Sequence, residues 1–264
     1  MISIILLTAA VASCVALILG LALGVFKEIF HVKEDPLIGL VREVLPGANC
    51  GGCGFPGCDG FAAVVAGGGD ITKCTAGGKD TAEKLAEIMG VGAVTVTPMV
   101  SVRCCLGGNN IAVKRGYYTG LATCRAAKIT GGTKLCSWGC IGFGDCVYVC
   151  KFDAISMDEN GLPVVNWGKC TGCKVCVAEC PQGILRAIPK DKKVVLALCS
   201  NRNPVRSAIR KTCRLGCIKC GICVKQCPEQ CVVIDNGIPV VDYSKCTACG
   251  TCEQKCPTKV MEVL

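Results

Sequence analysis

Three runs of the sequence, CTGCKVCVAECP (170–181), CIKCGICVKQCP (217–228) and CTACGTCEQKCP (246–257), share the spacing CxxCxxCxxxCP. In this spacing three thiolates bind one [4Fe-4S] cube, and the fourth cysteine reaches the other cube of a pair. Structural zinc uses two CxxC knuckles at a wider separation, often with histidine. The chain has 27 cysteines and a single histidine in 264 residues. The ligands therefore point to iron–sulfur clusters, and the chemistry they offer is electron transfer.

The runs belong to an internal repeat. NGLPVVNWGKCTGC (160–173) returns as NGIPVVDYSKCTAC (236–249), and GCIGFGDCVYVC (139–150) parallels GCIKCGICVKQC (216–227). Each half reads as a two-cluster module of the bacterial ferredoxin type. Cross-ligation assigns Cys217, Cys220, Cys223 and Cys256 to one cube of the second module and Cys227, Cys246, Cys249 and Cys252 to the other. In the first module Phe143 stands where Cys220 would be. Cys136, four residues before Cys140, is the expected substitute. That gives Cys136, Cys140, Cys146 and Cys180 for one cube, with Cys150, Cys170, Cys173 and Cys176 for its partner. A vacant or three-iron site is the alternative there. Lys151 also replaces the proline that follows the fourth cysteine of the other runs.

A separate set precedes both modules. In GANCGGCGFPGC (47–58), Cys50, Cys53 and Cys58 are followed by Cys74, a Cx2Cx4Cx15C pattern with its own four ligands. The glycines let the backbone turn sharply and pack close to a cluster. Outside the N-terminal apolar run, Cys104, Cys105, Cys124, Cys199, Cys213 and Cys231 remain. Cys213 precedes Cys217 by four residues, just as Cys136 precedes Cys140. Two readings stay open for these six cysteines: ligands of an additional cluster, for which Cys104, Cys124, Cys199, Cys213 and Cys231 are the candidates, or buried free thiols. The expected cofactors are thus five [4Fe-4S] clusters, with a sixth left open.

The elements that must position these ligands follow from patterning. Residues 2–26 are apolar or small and uncharged, long enough to cross a bilayer as one helix. VASC (11–14) looks like a lipoprotein cleavage site, but no positive residue precedes the apolar run and it continues well past Cys14. Lys27, Lys33 and Arg42 all follow the run, which puts the N-terminus outside and the rest in the cytoplasm of a single-pass protein of the cell (inner) membrane. Cytoplasmic cysteines stay reduced and available to metal rather than forming disulfides. DPLIGLVREVL (35–45) and DTAEKLAEIMG (80–90) read as helices, the second opened by Asp80 and Glu83 as a capping box. In each module the apolar stretch with Asn-Gly and Pro reads as a β-hairpin, and the residues after each ligand run as a short helix. The expected architecture is α+β, with a transmembrane anchor (1–26), a small helical [4Fe-4S] domain (27–92) and a linker or partial module with extra cysteines (93–135). Tandem ferredoxin modules follow at 136–190 and 191–264. Modules this small cannot build large cores, so their clusters should hold them together.

This combination of one N-terminal span, CGGCGFPGC completed by Cys74, and then ferredoxin modules resembles the B subunit of the Rnf membrane complex. That complex is also called the ion-translocating oxidoreductase or electron transport complex. The Cx2Cx4Cx15C pattern directly after an anchor is the specific part of the resemblance. It implies a complex that oxidises reduced ferredoxin, reduces NAD and moves sodium ions or protons, with this subunit as an electron relay. Two modules match the longer versions of the family; Phe143 departs from the ligand pattern.

The residues support a relay without catalysis of its own. No GxGxxG opens a helix after a strand and no GxxxxGK[ST] loop is present, so NAD and flavin belong to partner subunits. The one histidine, His31, sits at the membrane edge rather than in a catalytic setting. A single span without an intramembrane acid or base offers no ion path. The formal charge of +9 counts thiols as neutral. A cube with four thiolates carries roughly −2, so five would cancel approximately the whole excess. Basic stretches such as NRNPVRSAIRKTCR (201–214) then compensate the clusters or steer an acidic soluble ferredoxin. Aromatics at 5% and the absence of any nucleic-acid motif argue against nucleic-acid binding. Two alternatives to the energy-converting relay are a relay that keeps a redox-sensing transcription factor reduced and a docking protein whose clusters only hold the fold.

Overall fold

The computed structural model of the protein describes residues 2–30, 35–92 and 94–264. His31, placed above at the membrane edge, and Lys33, one of the charges used above for orientation, lie outside them. Helix α1 runs over Ile2–Ile29, its mean hydropathy reaches 2.7, and no other part of the described residues covers it. At 1.5 Å per residue it extends about 40 Å, against a hydrocarbon core of about 30 Å. It passes the expected end at residue 26 because Lys27 and Glu28 continue a helix readily.

The helical domain is built from α2 (Pro36–Val44), α3 (Cys58–Ala66), a single 3₁₀ turn (Ile71–Lys73) and α4 (Gly78–Met89). Asp35 caps α2 by accepting the Leu37 N–H at 2.9 Å, and Pro36 takes the first helical position. Val41, Phe61, Val65 and Leu85 interlock as its core, and Arg42 pairs with Asp59 to tie α2 to α3. Helix α4 starts at Gly78, two residues before the expected capping box, so Asp80 lies inside the first turn. Glu83 pairs instead with Lys79, one turn back, at 3.4 Å.

Each ferredoxin module is organised around a hairpin. In the first, β2 (Ile155–Met157) pairs antiparallel with β3 (Pro163–Val165); in the second, β6 (Val232–Asp235) pairs with β7 (Ile238–Val241). The second hairpin turns on Asn236 and Gly237, both at positive φ (45° and 78°), the twist that two-residue hairpin loops require. Two further ribbons frame the modules. Strand β1 (Met99–Arg103) pairs with β4 (Leu185–Pro189), and β5 (Val195–Ala197) pairs with β8 (Met261–Val263). Val100, Val102, Ile188, Val194, Leu196 and Leu198 join these ribbons in one buried cluster that touches Trp167 and Tyr243. Part of the 93–135 stretch thus belongs to the shared core of the modules.

The short helices α6 (Asp145–Tyr148), α7 (Val175–Glu179), α9 (Ile222–Lys225) and α10 (Thr251–Gln254) do not follow the ligand runs as expected. They lie inside them, each with the cysteine at the third ligand position of its run in its first turn. The residue before each helix, Gly144, Lys174, Gly221 or Gly250, is left-handed. That reversal folds the CxxC loop back over the helix start and faces successive thiols the same way. The remaining helices are α5 (Cys124–Ile129) and α8 (Arg206–Thr212).

Candidate metal centres

Cys50, Cys53, Cys58 and Cys74 line one small gap, closed by Pro46, Phe61 and the backbone of Gly51 and Gly52. Helix α3 delivers Cys58 at its start, and Asn49 fixes that start by accepting the Cys58 N–H at 2.8 Å. Burial pushes the Cys74 thiol up; the Gly77 N–H opposes this, and Cys53, Cys58 and Cys50 reinforce it.

The first module holds two sets. Cys176 is buried beside Cys173, Cys170 and Cys150. Ser101 of β1 donates its N–H to Cys170 Sγ at 3.4 Å, and its hydroxyl lies 3.3 Å from Cys176 Sγ. The other gap is lined by Cys124, Cys140, Cys146 and Cys180. Phe143 keeps the backbone of a ligand loop, with Gly142 and Gly144 at φ 99° and 81°, but its ring packs at a tilt of 49° against Tyr118. The fourth thiol comes from Cys124 at the start of α5. The Asp145 carboxylate anchors that helix start to α6 by accepting the N–H groups of Cys124 and Arg125 at 2.9 and 3.2 Å. Burial drives Cys140 and Cys146 each up to about 12.

Cys136, expected to fill the Phe143 vacancy, does not line that gap. It meets Cys105, Cys199 and Cys213 around a separate closed gap between the two modules. Its placement follows from tertiary contacts: Asn201 Nδ2 donates to Cys136 Sγ at 3.4 Å, and burial pushes Cys213 up to about 11. The sulfurs of this set are also bonded outward. Cys105 Sγ accepts the Cys140 N–H at 3.4 Å, and Cys199 Sγ accepts the Cys217 N–H at 3.3 Å.

In the second module Cys217, Cys220, Cys223 and Cys256 are mutual neighbours. Cys252 lies beside Cys246 and Cys227, and Cys249 sits on the exposed turn of the same CxxC loop, 3.4 Å from the Thr251 hydroxyl. Three cysteines join no set of four: Cys14 on α1, Cys104 in the shared core with no exposure, and Cys231, whose Sγ lies 3.4 Å from Cys227 Sγ. Of the candidates for an additional cluster, Cys199 and Cys213 thus come together with Cys105 and Cys136, Cys124 moves to the Phe143 gap, and Cys104 and Cys231 stay apart. Cys105 is among the six cysteines left open by the sequence but is not singled out as a ligand there; its only signal is its place in a pair of adjacent cysteines.

The donor chemistry of these sets fits iron–sulfur cubes. Cysteine sulfurs dominate the donors at the three gaps, joined at one by the Met157 thioether, and the one carboxylate among their lining residues, Asp145, is engaged by backbone N–H groups. Among the described residues no three His, Cys, Asp or Glu side chains converge as closely as the ligands of a single ion; the sulfurs stand apart around gaps. Where burial opposes ionisation, as at Cys74, Cys140, Cys146 and Cys213, a thiolate calls for a positively charged core to compensate it.

Comparison with known proteins agrees. Residues 45–76 match a family described as "Putative Fe-S cluster", and residues 139–184 and 216–260 each match the "4Fe-4S dicluster domain". The B subunit of the Na(+)-translocating ferredoxin:NAD(+) oxidoreductase complex of Acetobacterium woodii is 42% identical over 93% of this chain and 74% of its own length. The B subunit of the ion-translocating oxidoreductase complex of Methanosarcina acetivorans is 36% identical over 93% and 94%. The chain belongs to the B-subunit family of Rnf-type complexes. Another member, the B subunit of the proton-translocating ferredoxin:NAD(+) oxidoreductase complex of Clostridium ljungdahlii, is 38% identical over 89% of this chain and 84% of its own length. Membership makes this chain an iron–sulfur electron-transfer subunit of an ion-translocating oxidoreductase, and α1 suits the membrane anchoring of an Rnf subunit.

Proposed function

We propose that the chain carries six [4Fe-4S] clusters in one unbroken line and relays electrons from soluble reduced ferredoxin towards membrane partners. A cluster of this kind, once bound, takes up and gives back single electrons. The observation behind the reading is that every set of thiols has a member within electrostatic or hydrogen-bonding reach of the next. Cys173 lies beside Cys50, Cys176 beside Cys146, and Cys105 accepts from Cys140. Cys199 accepts from Cys217, and Cys223 lies beside Cys252. The set of Cys105, Cys136, Cys199 and Cys213 is the link between the two modules.

Cys249 is the only exposed cysteine among the described residues beyond α1, which favours the second module as the entrance for ferredoxin. The Cys50 to Cys74 set follows α1 in sequence, which favours it as the exit. Flavin and NAD then bind to partner subunits, which complete NAD reduction and move Na+ or H+, with the cluster domains on the cytoplasmic side. This chain brings no nucleotide site of its own.

The test is a rapid-mixing experiment with purified full-length protein and reduced ferredoxin. Replacing Cys213 with Ala should leave the Cys217 to Cys256 clusters reducible and sharply slow reduction of the Cys50 to Cys74 cluster. Reduction of that cluster at the unaltered rate would break the proposed order.

A further inference from the structure

Lys134 is 2% exposed, and among the described residues it is the one charged side chain buried to this degree. Its Nζ has no hydrogen-bond partner, and no ion pair among the described residues includes it. Its backbone cannot readily swing outward. Lys134 bridges to Lys114, the Leu135 N–H donates to Val113 O at 2.8 Å, and the Arg115 N–H donates to Thr133 O at 3.0 Å. Thr133 Oγ1 in turn donates to Ile141 O at 2.8 Å, which locks the segment against the residue after Cys140. An ammonium held out of water needs an opposite charge close by. Lys134 lines one cavity with Ile141, Gly142 and Phe143, the three residues that follow Cys140.

We propose that Lys134 is the fixed counter-charge of the cluster held by Cys124, Cys140, Cys146 and Cys180, and that it raises the reduction potential of that cluster. The inference rests on the ligand assignment proposed above. Four thiolates on a cube leave roughly −2, and taking up one electron makes the site more negative still. A cation fixed in a low-dielectric interior therefore stabilises the reduced form more than the oxidised one. Lys114 and Arg115 are exposed to solvent on the facing segment, where water screens them. Lys134 acts on the cluster through its field and is a positioned charge, not an electron carrier.

The test uses the full-length, iron-loaded protein and a reductive titration followed by electron paramagnetic resonance. Lys134→Met should keep the full iron and sulfide content while one component alone moves to lower potential. That component should be the one whose signal changes in Cys124→Ser. Lys134→Arg, which keeps the charge, should move it less. An iron-replete Lys134→Met protein with unshifted midpoints would overturn the inference, whereas a low iron content in the unaltered protein would overturn the ligand assignment. Should Lys134→Met lose the cluster, the arginine variant decides. Retention of iron with arginine supports the charge role, and loss in both variants refutes it.

Discussion

Gly52 is where the helical domain and the first module meet, and an added methyl group there should separate them. An ideal Cβ at Gly52 would lie 2.4 Å from the Cys173 carbonyl oxygen, 3.0 Å from its Cβ and 3.2 Å from its carbonyl carbon. Ordinary contact begins at roughly 3.4 Å, so Gly52→Ala must open this junction by about 1 Å or strain both loops. Overpacking of this kind costs about 1–3 kcal/mol. Gly52 is not a ligand and Cys173 stays in its own set, so both clusters should still form and iron content should not change. What should change is the step between them: reduction of the Cys50 to Cys74 cluster should slow, and Gly52→Leu should slow it further. Rapid mixing with reduced ferredoxin, read against total iron, measures this. Gly39→Ala on α2, where a Cβ meets nothing within 4 Å, is the control. Normal kinetics and stability in both Gly52 variants would show that the domains do not dock through Gly52 and Cys173.

Cys124→Ala and Cys136→Ala should each cost about one cluster, but not the same one. The double variant should then lose about two clusters by iron analysis, whereas one shared site would lose about one. Thiol alkylation of the iron-loaded protein under native conditions should leave Cys104 and Cys231 protected by burial; mass spectrometry that finds Cys104 modified before the clusters are removed would refute its place in the core. Removing iron with a chelator and an oxidant should unfold both modules cooperatively, seen as loss of far-ultraviolet dichroism, while an unchanged spectrum would show that the polypeptide core suffices.

The ligand runs were legible because their spacing is local. Three thiols within seven residues and a fourth four residues on need only a reversed turn and one helical turn to converge, and Gly221 and Gly250 mark those turns. The Asn236–Gly237 hairpin was legible for the same reason. Cys124 was not, because it reaches the Phe143 gap from a separate segment, brought there by the Asp145 carboxylate rather than by any spacing to Cys140. The set of Cys105, Cys136, Cys199 and Cys213 draws on four segments that meet only when the modules pack together. Its trace in the sequence is the matched position of Cys136 and Cys213, four residues before Cys140 and Cys217. That trace marks them as counterparts without saying that they share one site. Lys134, in a basic stretch, had nothing to distinguish it from a solvated lysine until its burial was seen.

In the proposed relay, 24 of the 27 cysteines form six sets of four, linked through the set between the modules. Iron and acid-labile sulfide per chain, measured on anaerobically purified full-length protein, test this most directly. Six cubes require about 24 of each, falling to about 20 in Cys213→Ala. A value of about 20 in the unaltered protein that does not fall in Cys213→Ala would contradict the relay, leaving the two modules without a cluster between them.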